Sequence, residues 1–116
     1  DSNEHLLGIG IGDEKITGVA RVAENAEEAI QRLQPGEILV TRATSPAYNL
    51  VLTLVGGLIT AEGGAMSHAA VLSRELGIPA VIGAAKAMTK IKDGDTVEID
   101  SSKNSVTIKP EHSESS

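Results

Sequence analysis

The residues with the clearest chemical potential lie in one short run, Glu62-Gly63-Gly64-Ala65-Met66-Ser67-His68-Ala69-Ala70. Histidine is largely uncharged near neutral pH, and a neutral imidazole nitrogen can attack phosphorus and carry a phosphoryl group covalently. Gly63 and Gly64 have no side chains and tolerate φ > 0, so a bulky phosphate donor can come close to the backbone there. Local signals place His68 at the head of a helix. Ser67 suits an N-cap, no Gly or Pro occurs from His68 to Leu76, and Gly77 with Pro79 makes a stop. At such a terminus the unpaired N–H groups and the helix dipole, worth roughly 0.3–1 kcal/mol when exposed, favour an anion and disfavour an imidazolium. The same field serves the forward and the return transfer of a phosphoryl group.

The elements that must position this run alternate along the chain. Leu7 to Ile11 reads as a glycine-softened strand or loop and Thr17 to Ala23 as a strand. Asn25 to Leu33 reads as a helix capped by Asn25, with Glu27 and Glu28 in its first turn, Arg32 in its last, and Ala26, Ala29, Ile30 and Leu33 spaced for one buried face. Pro35-Gly36 ends it, Glu37 to Thr41 is a short apolar strand, and Ser45-Pro46 launches a helix over 46–54 that Gly56-Gly57 closes. Leu58 to Ala61 is then a strand that delivers the glycine loop at its carboxyl end. Open α/β sheets place their ligands at such ends. Ala80 to Ile82 is a buried strand, Ala84 to Met88 a helical turn, and Asp93-Gly94 a turn. Thr96 to Ile99 and Ser105 to Ile108 flank Ser101-Ser102-Lys103-Asn104 as a closing hairpin, and residues 110–116 are polar, acidic and expected to be disordered. Parallel β-α-β steps in the middle and hairpins at the ends describe a mixed α/β sandwich.

Around His68, each polar residue has a functional and a structural reading. Ser67 serves as cap and is also a candidate hydroxyl donor to the phosphoryl group. Thr44 and Arg42, just after the 37–41 strand, border the same loop by topology and are candidates to hold phosphate. Glu62 either orients the imidazole or faces solvent. Arg74, six residues beyond His68 and so about 240° around the helix, reads as a surface arginine. Tyr48 reads as a half-buried packing residue with its hydroxyl in water, the alternative being a tyrosine that faces the loop. Gly8-x-Gly10 is half of a dinucleotide fingerprint with nothing to support the other half. His5 and His112 lie toward the termini and read as exposed. No metal site is expected, because His68 has no ligand-type residue at i+3 or i+4.

Gly63-Gly64-x-x-Ser67-His68-Ala69-Ala70, a short helix and Leu76-Gly77-Ile78-Pro79-Ala80-Val81 together resemble the phosphohistidine swivelling (mobile) domain of phosphoenolpyruvate (PEP)-utilising enzymes. That group includes pyruvate phosphate dikinase, PEP synthase, enzyme I of the sugar phosphotransferase system and the rifampin phosphotransferases. The resemblance runs from about residue 7 to 110, with Pro35-Gly36-Glu37-Ile38-Leu39-Val40 and Thr44-Ser45-Pro46 before the motif and Asp93-Gly94-Asp95-Thr96-Val97 after it. It implies an α/β fold in three layers, β/β/α, around a central, mostly parallel sheet. Residues 7–109 would form the swivelling domain, after a flexible segment 1–6 and before the tail 110–116. It also implies that His68 is phosphorylated by a nucleotide- or PEP-binding domain and swings to a second site, where pyruvate, a rifamycin hydroxyl or a carrier protein receives the group. ATP or PEP, with magnesium, would belong to an ATP-grasp or PEP-binding domain, the acceptor to another, and this domain would bind no cofactor itself. Where the dikinase and synthase often have a regulatory threonine two residues before the histidine, this chain has Met66, a form closer to the rifampin phosphotransferases.

Composition narrows the classes further. At 116 residues the chain has room for one core but not for donor and acceptor domains as well, and no G-x-x-x-x-G-K-[ST] loop is present. Beginning at Asp1, it reads as a piece of a larger phosphotransferase. A net charge of −6 with no basic cluster argues against nucleic acid. The absence of cysteine excludes a disulfide framework and thiolate metal sites. No apolar run approaches the roughly 18 residues of a membrane span and no secretory signal opens the chain, so a cytoplasmic location is expected. With one Tyr and no Phe or Trp, the core must be aliphatic. Two function classes remain, a phosphocarrier domain and a non-catalytic binding or regulatory module on the same fold. A self-sufficient hydrolase lacks a general base, a metal or a second carboxylate beside the histidine.

Overall fold

The computed structural model describes residues 4–109. In chain order the strands are β1 (Glu4–Leu7), β2 (Ile9–Ile11), β3 (Lys15–Val22), β4 (Ile38–Thr41), β5 (Gly57–Thr60), β6 (Ala80–Ile82), β7 (Thr96–Asp100) and β8 (Ser105–Lys109). The helices are α1 (Ala26–Arg32), α2 (Asn49–Leu52), α3 (His68–Leu76) and α4 (Ala87–Lys90), with 3-10 turns at Pro46–Tyr48 and Ser101–Lys103. Strands follow the order β1-β8-β7-β3-β4-β5-β6-β2. From β3 through β6 the pairing is parallel, with β2 antiparallel at that edge. The strands β1, β8, β7 and the first part of β3 form an antiparallel sheet, and β3 belongs to both.

Every residue of β4, β5 and β6 is buried, as strands covered on both faces require. Their side chains alternate between two cores. Leu39, Leu58, Ala80 and Ile82 face the helices, where they meet Ala29, Leu33, Val51, Leu52, Ala69 and Ala70. Ile38, Val40, Ile59 and Val81 face the antiparallel sheet, where they meet Val97, Ile99, Val106 and Ile108. The result is the expected three-layer β/β/α arrangement. Strands β7 and β8 bury only every second residue, because their other face meets solvent.

Side chains end the helices where the composition indicated. Asn25 Oδ1 accepts the Glu28 N–H at 2.8 Å, capping α1. Ser67 Oγ accepts the Ala70 N–H at 3.3 Å, capping α3. Gly77 ends α3 in the left-handed region at φ 72°. The span expected as one helix over 46–54 is instead the 3-10 turn followed by α2, and β5 begins at Gly57 rather than Leu58.

The segment 4–6 and Tyr48 depart from expectation. Residues 4–6, expected in a flexible segment, are strand β1, paired with β8 from Glu4↔Ile108 to Leu7↔Ser105, while residues 1–3 and the tail at 110–116 lie outside the described residues. His5 is exposed as expected, in this strand with its Nδ1 3.0 Å from Thr107 Oγ1, and His112 lies outside the described residues. Tyr48 is 5% exposed, and its hydroxyl is 3.0 Å from Thr41 Oγ1 rather than in water. Gly10 has a packing role, because a Cβ there would fall 1.8 Å from the Ser101 carbonyl oxygen.

An ion network ties α1 to the sheet. Arg21 forks onto Glu37 at 2.9 and 2.7 Å and reaches Asp93 at 2.9 Å, while Arg32 contacts Asp93 at 2.7 Å. The Arg21 hydrogen bond holds the Glu37 carboxyl below its ordinary range. Burial pushes the Asp93 carboxyl upward, but the Val22 N–H, Arg32 and Arg21 outweigh it and hold the group low.

Candidate functional site

The carboxyl ends of β4 and β5 open side by side, and their loops continue the pairing. The Ala61 N–H donates to the Thr41 carbonyl at 3.1 Å and the Glu62 N–H to the Arg42 carbonyl at 2.9 Å. Thr60, fully buried at the end of β5, donates its hydroxyl to the Glu62 carbonyl at 2.8 Å and accepts the Gly83 N–H at 3.3 Å. The two loops therefore leave the sheet as a unit, one carrying Thr44 and the other leading into His68.

His68 is the first residue of α3 and half-buried. Its Nδ1 is 2.8 Å from Thr44 Oγ1 in a part-buried contact, and its Nε2 is 3.0 Å from Asn49 Oδ1 in an exposed one. A carboxamide oxygen only accepts, so the neutral tautomer that satisfies both contacts is the one with its hydrogen on Nε2 and Nδ1 accepting from the Thr44 hydroxyl. The ring is thus held at both nitrogens by residues 24 and 19 positions earlier in the chain.

The loop ahead of the histidine is shaped by Gly63, whose φ of 110° admits glycine and little else, and by Ser67, whose hydroxyl donates to the Gly64 carbonyl at 2.8 Å. A Cβ on Gly64 would touch nothing within 4 Å, so space beside that residue is open. With Ser67 capping Ala70, the first-turn amides of His68 and Ala69 have no partner inside the helix. Met66, 84% exposed, stands at the rim.

The residues singled out from the sequence divide into three groups. Thr44 meets His68 directly, and Gly63, Gly64 and Ser67 build the loop that leads to it. Arg42 and Glu62 form an exposed pair with each other at 4.0 Å, with Glu24 3.9 Å from Arg42, spacings that hold little energy in water. Arg74 is exposed on α3. Asn49 was not singled out. An asparagine three residues after Pro46 has no signal of its own, and only the turn at 46–48 brings it to the ring. Among the described residues no group of three or more His, Cys, Asp or Glu could hold a metal ion, and no helix is long and apolar enough to cross a membrane.

Comparison with known proteins gives this geometry a context. Residues 33–104 match the family described as "PEP-utilising enzyme, mobile domain". The PEP synthase of Aquifex aeolicus is 46% identical over 94 residues, covering 81% of this chain and 11% of that protein. The rifampicin phosphotransferase of Bacillus cereus is 40% identical over 96 residues, covering 83% and 11%. The chain thus spans about a tenth of the length of either relative, and these identities do not favour the rifampin side to which Met66 pointed. A solution structure of Enzyme I superposes with a TM-score of 0.59 at 31% identity, covering 67% of this chain and 32% of that one. On the family match and these identities, the chain belongs to the mobile-domain family of PEP-utilising enzymes.

Proposed function

We propose that this chain is a phosphoryl-carrier module in which His68 Nε2 receives a phosphoryl group from a nucleotide- or PEP-binding domain and passes it to a small-molecule acceptor, pyruvate or an alcohol such as a rifamycin hydroxyl. The observation that carries the reading is the ring's orientation, with Nδ1 inward on Thr44 and Nε2 on the exposed side. In the transfer the Nε2 lone pair forms the N–P bond while the donor's P–O bond breaks, and its electron pair leaves with the oxygen. That attack requires the ring hydrogen to pass first, through solvent, from Nε2 to Nδ1, which then donates a hydrogen bond to Thr44 Oγ1. The open space beside Gly64 admits the donor, and the free first-turn amides and dipole of α3 favour the dianionic group. Arg42 would contribute only after leaving Glu62. ATP or PEP and magnesium would be bound by other domains, in the same parent chain or a partner chain, and the module would work in the cytoplasm, where those metabolites are.

A second reading is favoured by one observation, that both ring nitrogens are already occupied within the domain. On that reading the chain is a non-catalytic docking module. The two are separated by treating the chain with phosphoramidate and mapping acid-labile phosphate at His5, His68 and His112. The carrier reading expects strong preference for His68 and no labelling at that position in His68→Ala. Equal labelling of the three histidines, or none at His68, would move the docking module ahead.

A further inference from the structure

We infer that Asn49 is a carboxamide gate on His68, one that holds the resting ring in an unreactive tautomer and, when turned over, donates to an oxygen of the phosphoryl group on Nε2. The inference rests on the carrier reading given above. With the Asn49 oxygen 3.0 Å from Nε2 and the Thr44 oxygen 2.8 Å from Nδ1, the ring hydrogen sits on the nitrogen that must attack. Attack requires that hydrogen to move to Nδ1, the Thr44 hydroxyl to rotate from donor to acceptor, and Asn49 to release Nε2. Rotating the carboxamide by half a turn replaces its oxygen with its NH2 group, which can donate to the free lone pair and, after transfer, to a phosphoryl oxygen. The atoms balance without a further reactant, because the single ring hydrogen changes nitrogen and the incoming phosphorus takes the vacated lone pair.

The surroundings suit a side chain that turns on a fixed backbone. Asn49 ends the 3-10 turn with its own N–H bonded to the Pro46 carbonyl, and the preceding Tyr48 is buried and tied to Thr41. The Asn49 side chain, by contrast, lies on the exposed side of the ring, so its rotation disturbs no packing. A carboxylate at this position would accept from Nε2–H still better, but it could not donate and would repel the phosphoryl group.

The test pairs Asn49→Ala with Asn49→Asp and reads two quantities. The first is the tautomer of His68, from its imidazole nitrogen NMR shifts at a pH above the ring's titration. The second is the rate of acid-labile labelling by phosphoramidate. Wild type is expected to show mainly the Nε2–H form. Asn49→Ala should shift the tautomer ratio toward Nδ1–H by roughly two- to tenfold, the range one ordinary hydrogen bond sets, with labelling faster by a similar factor and faster loss of the bound phosphate. Asn49→Asp should keep the Nε2–H form and label more slowly than wild type. A wild-type tautomer ratio and labelling rate in Asn49→Ala would overturn the gate. Absence of labelling in wild type would instead sink the carrier reading, while the tautomer measurement would still decide whether Asn49 places the ring hydrogen.

Discussion

Ser67 is committed twice over, as acceptor from Ala70 and as donor to Gly64. Its hydroxyl hydrogen is thereby spent within the loop, which separates its role as cap from any role toward phosphate. Ser67→Ala should lower the unfolding free energy by about 1 kcal/mol, read as a shifted denaturant midpoint at unchanged slope. Ser67→Asp keeps a capping oxygen and should retain near-wild-type stability, yet label more slowly at His68, since a carboxylate there opposes an incoming phosphoryl group. Equal labelling rates in Ser67→Asp and wild type would show that the anion's path avoids the cap. At this scale much was legible. The cap, the stop at Gly77 and the place of His68 at the helix head all follow from residues within or beside one helix. The ring's partners were legible only in part, since Thr44 was placed by topology and Asn49 not at all.

At the scale of elements, the site depends on how the turn after β4 is anchored. The Tyr48 hydroxyl and Thr41 Oγ1 form a hydrogen bond that sits beneath Thr44 and Asn49 in the chain and has no access to water. Tyr48→Phe leaves the ring's packing in place but orphans the fully buried Thr41 hydroxyl, at a cost of about 1–3 kcal/mol. Chemical denaturation should show that loss, and broadened His68 resonances should accompany it as the turn loosens. An unchanged midpoint would mean that the hydroxyl finds another partner. The bland reading of Tyr48 failed because a tyrosine's amphipathic character does not say which neighbour its hydroxyl will find. Helix α1, by contrast, was readable in its extent and its Asn25 cap, which act within the helix, whereas Ile30, expected on its buried face, is 49% exposed and Arg32 reaches out to Asp93.

Across the whole molecule, stability comes from two aliphatic cores on either side of one sheet, with the Arg21, Glu37, Asp93 and Arg32 network fastening α1 and the turn before β7 to β3 and β4. Both carboxyls of the network have folded values below their ordinary ones. Depressed carboxyls stabilise the fold above the unfolded carboxylate range of about 4, and that contribution is lost as pH falls through the lower folded values. The melting temperature should therefore drop as pH falls below about 4. Glu37→Gln should be less stable near neutrality and less sensitive to acid. Parallel acid profiles for the variant and wild type would remove this network from the account.

What the sequence determined alone was whatever acts over a helical turn or a strand's length: the caps, the stops, the mainly apolar runs of β4 and β6, and a histidine placed at a helix head behind two glycines. These signals are local, so they survive without knowledge of the partner. Only the tertiary structure decided that Glu4–Leu7 pairs with a strand about a hundred residues away, because a short segment with no clear alternation acquires its register from its neighbour. The same holds at the site, where the two loops stitched at Thr41 and Arg42 decide which side chains meet His68. The histidine and its helix are written in one segment, and the contacts that Thr44 and Asn49 make to its ring are written in the packing of three.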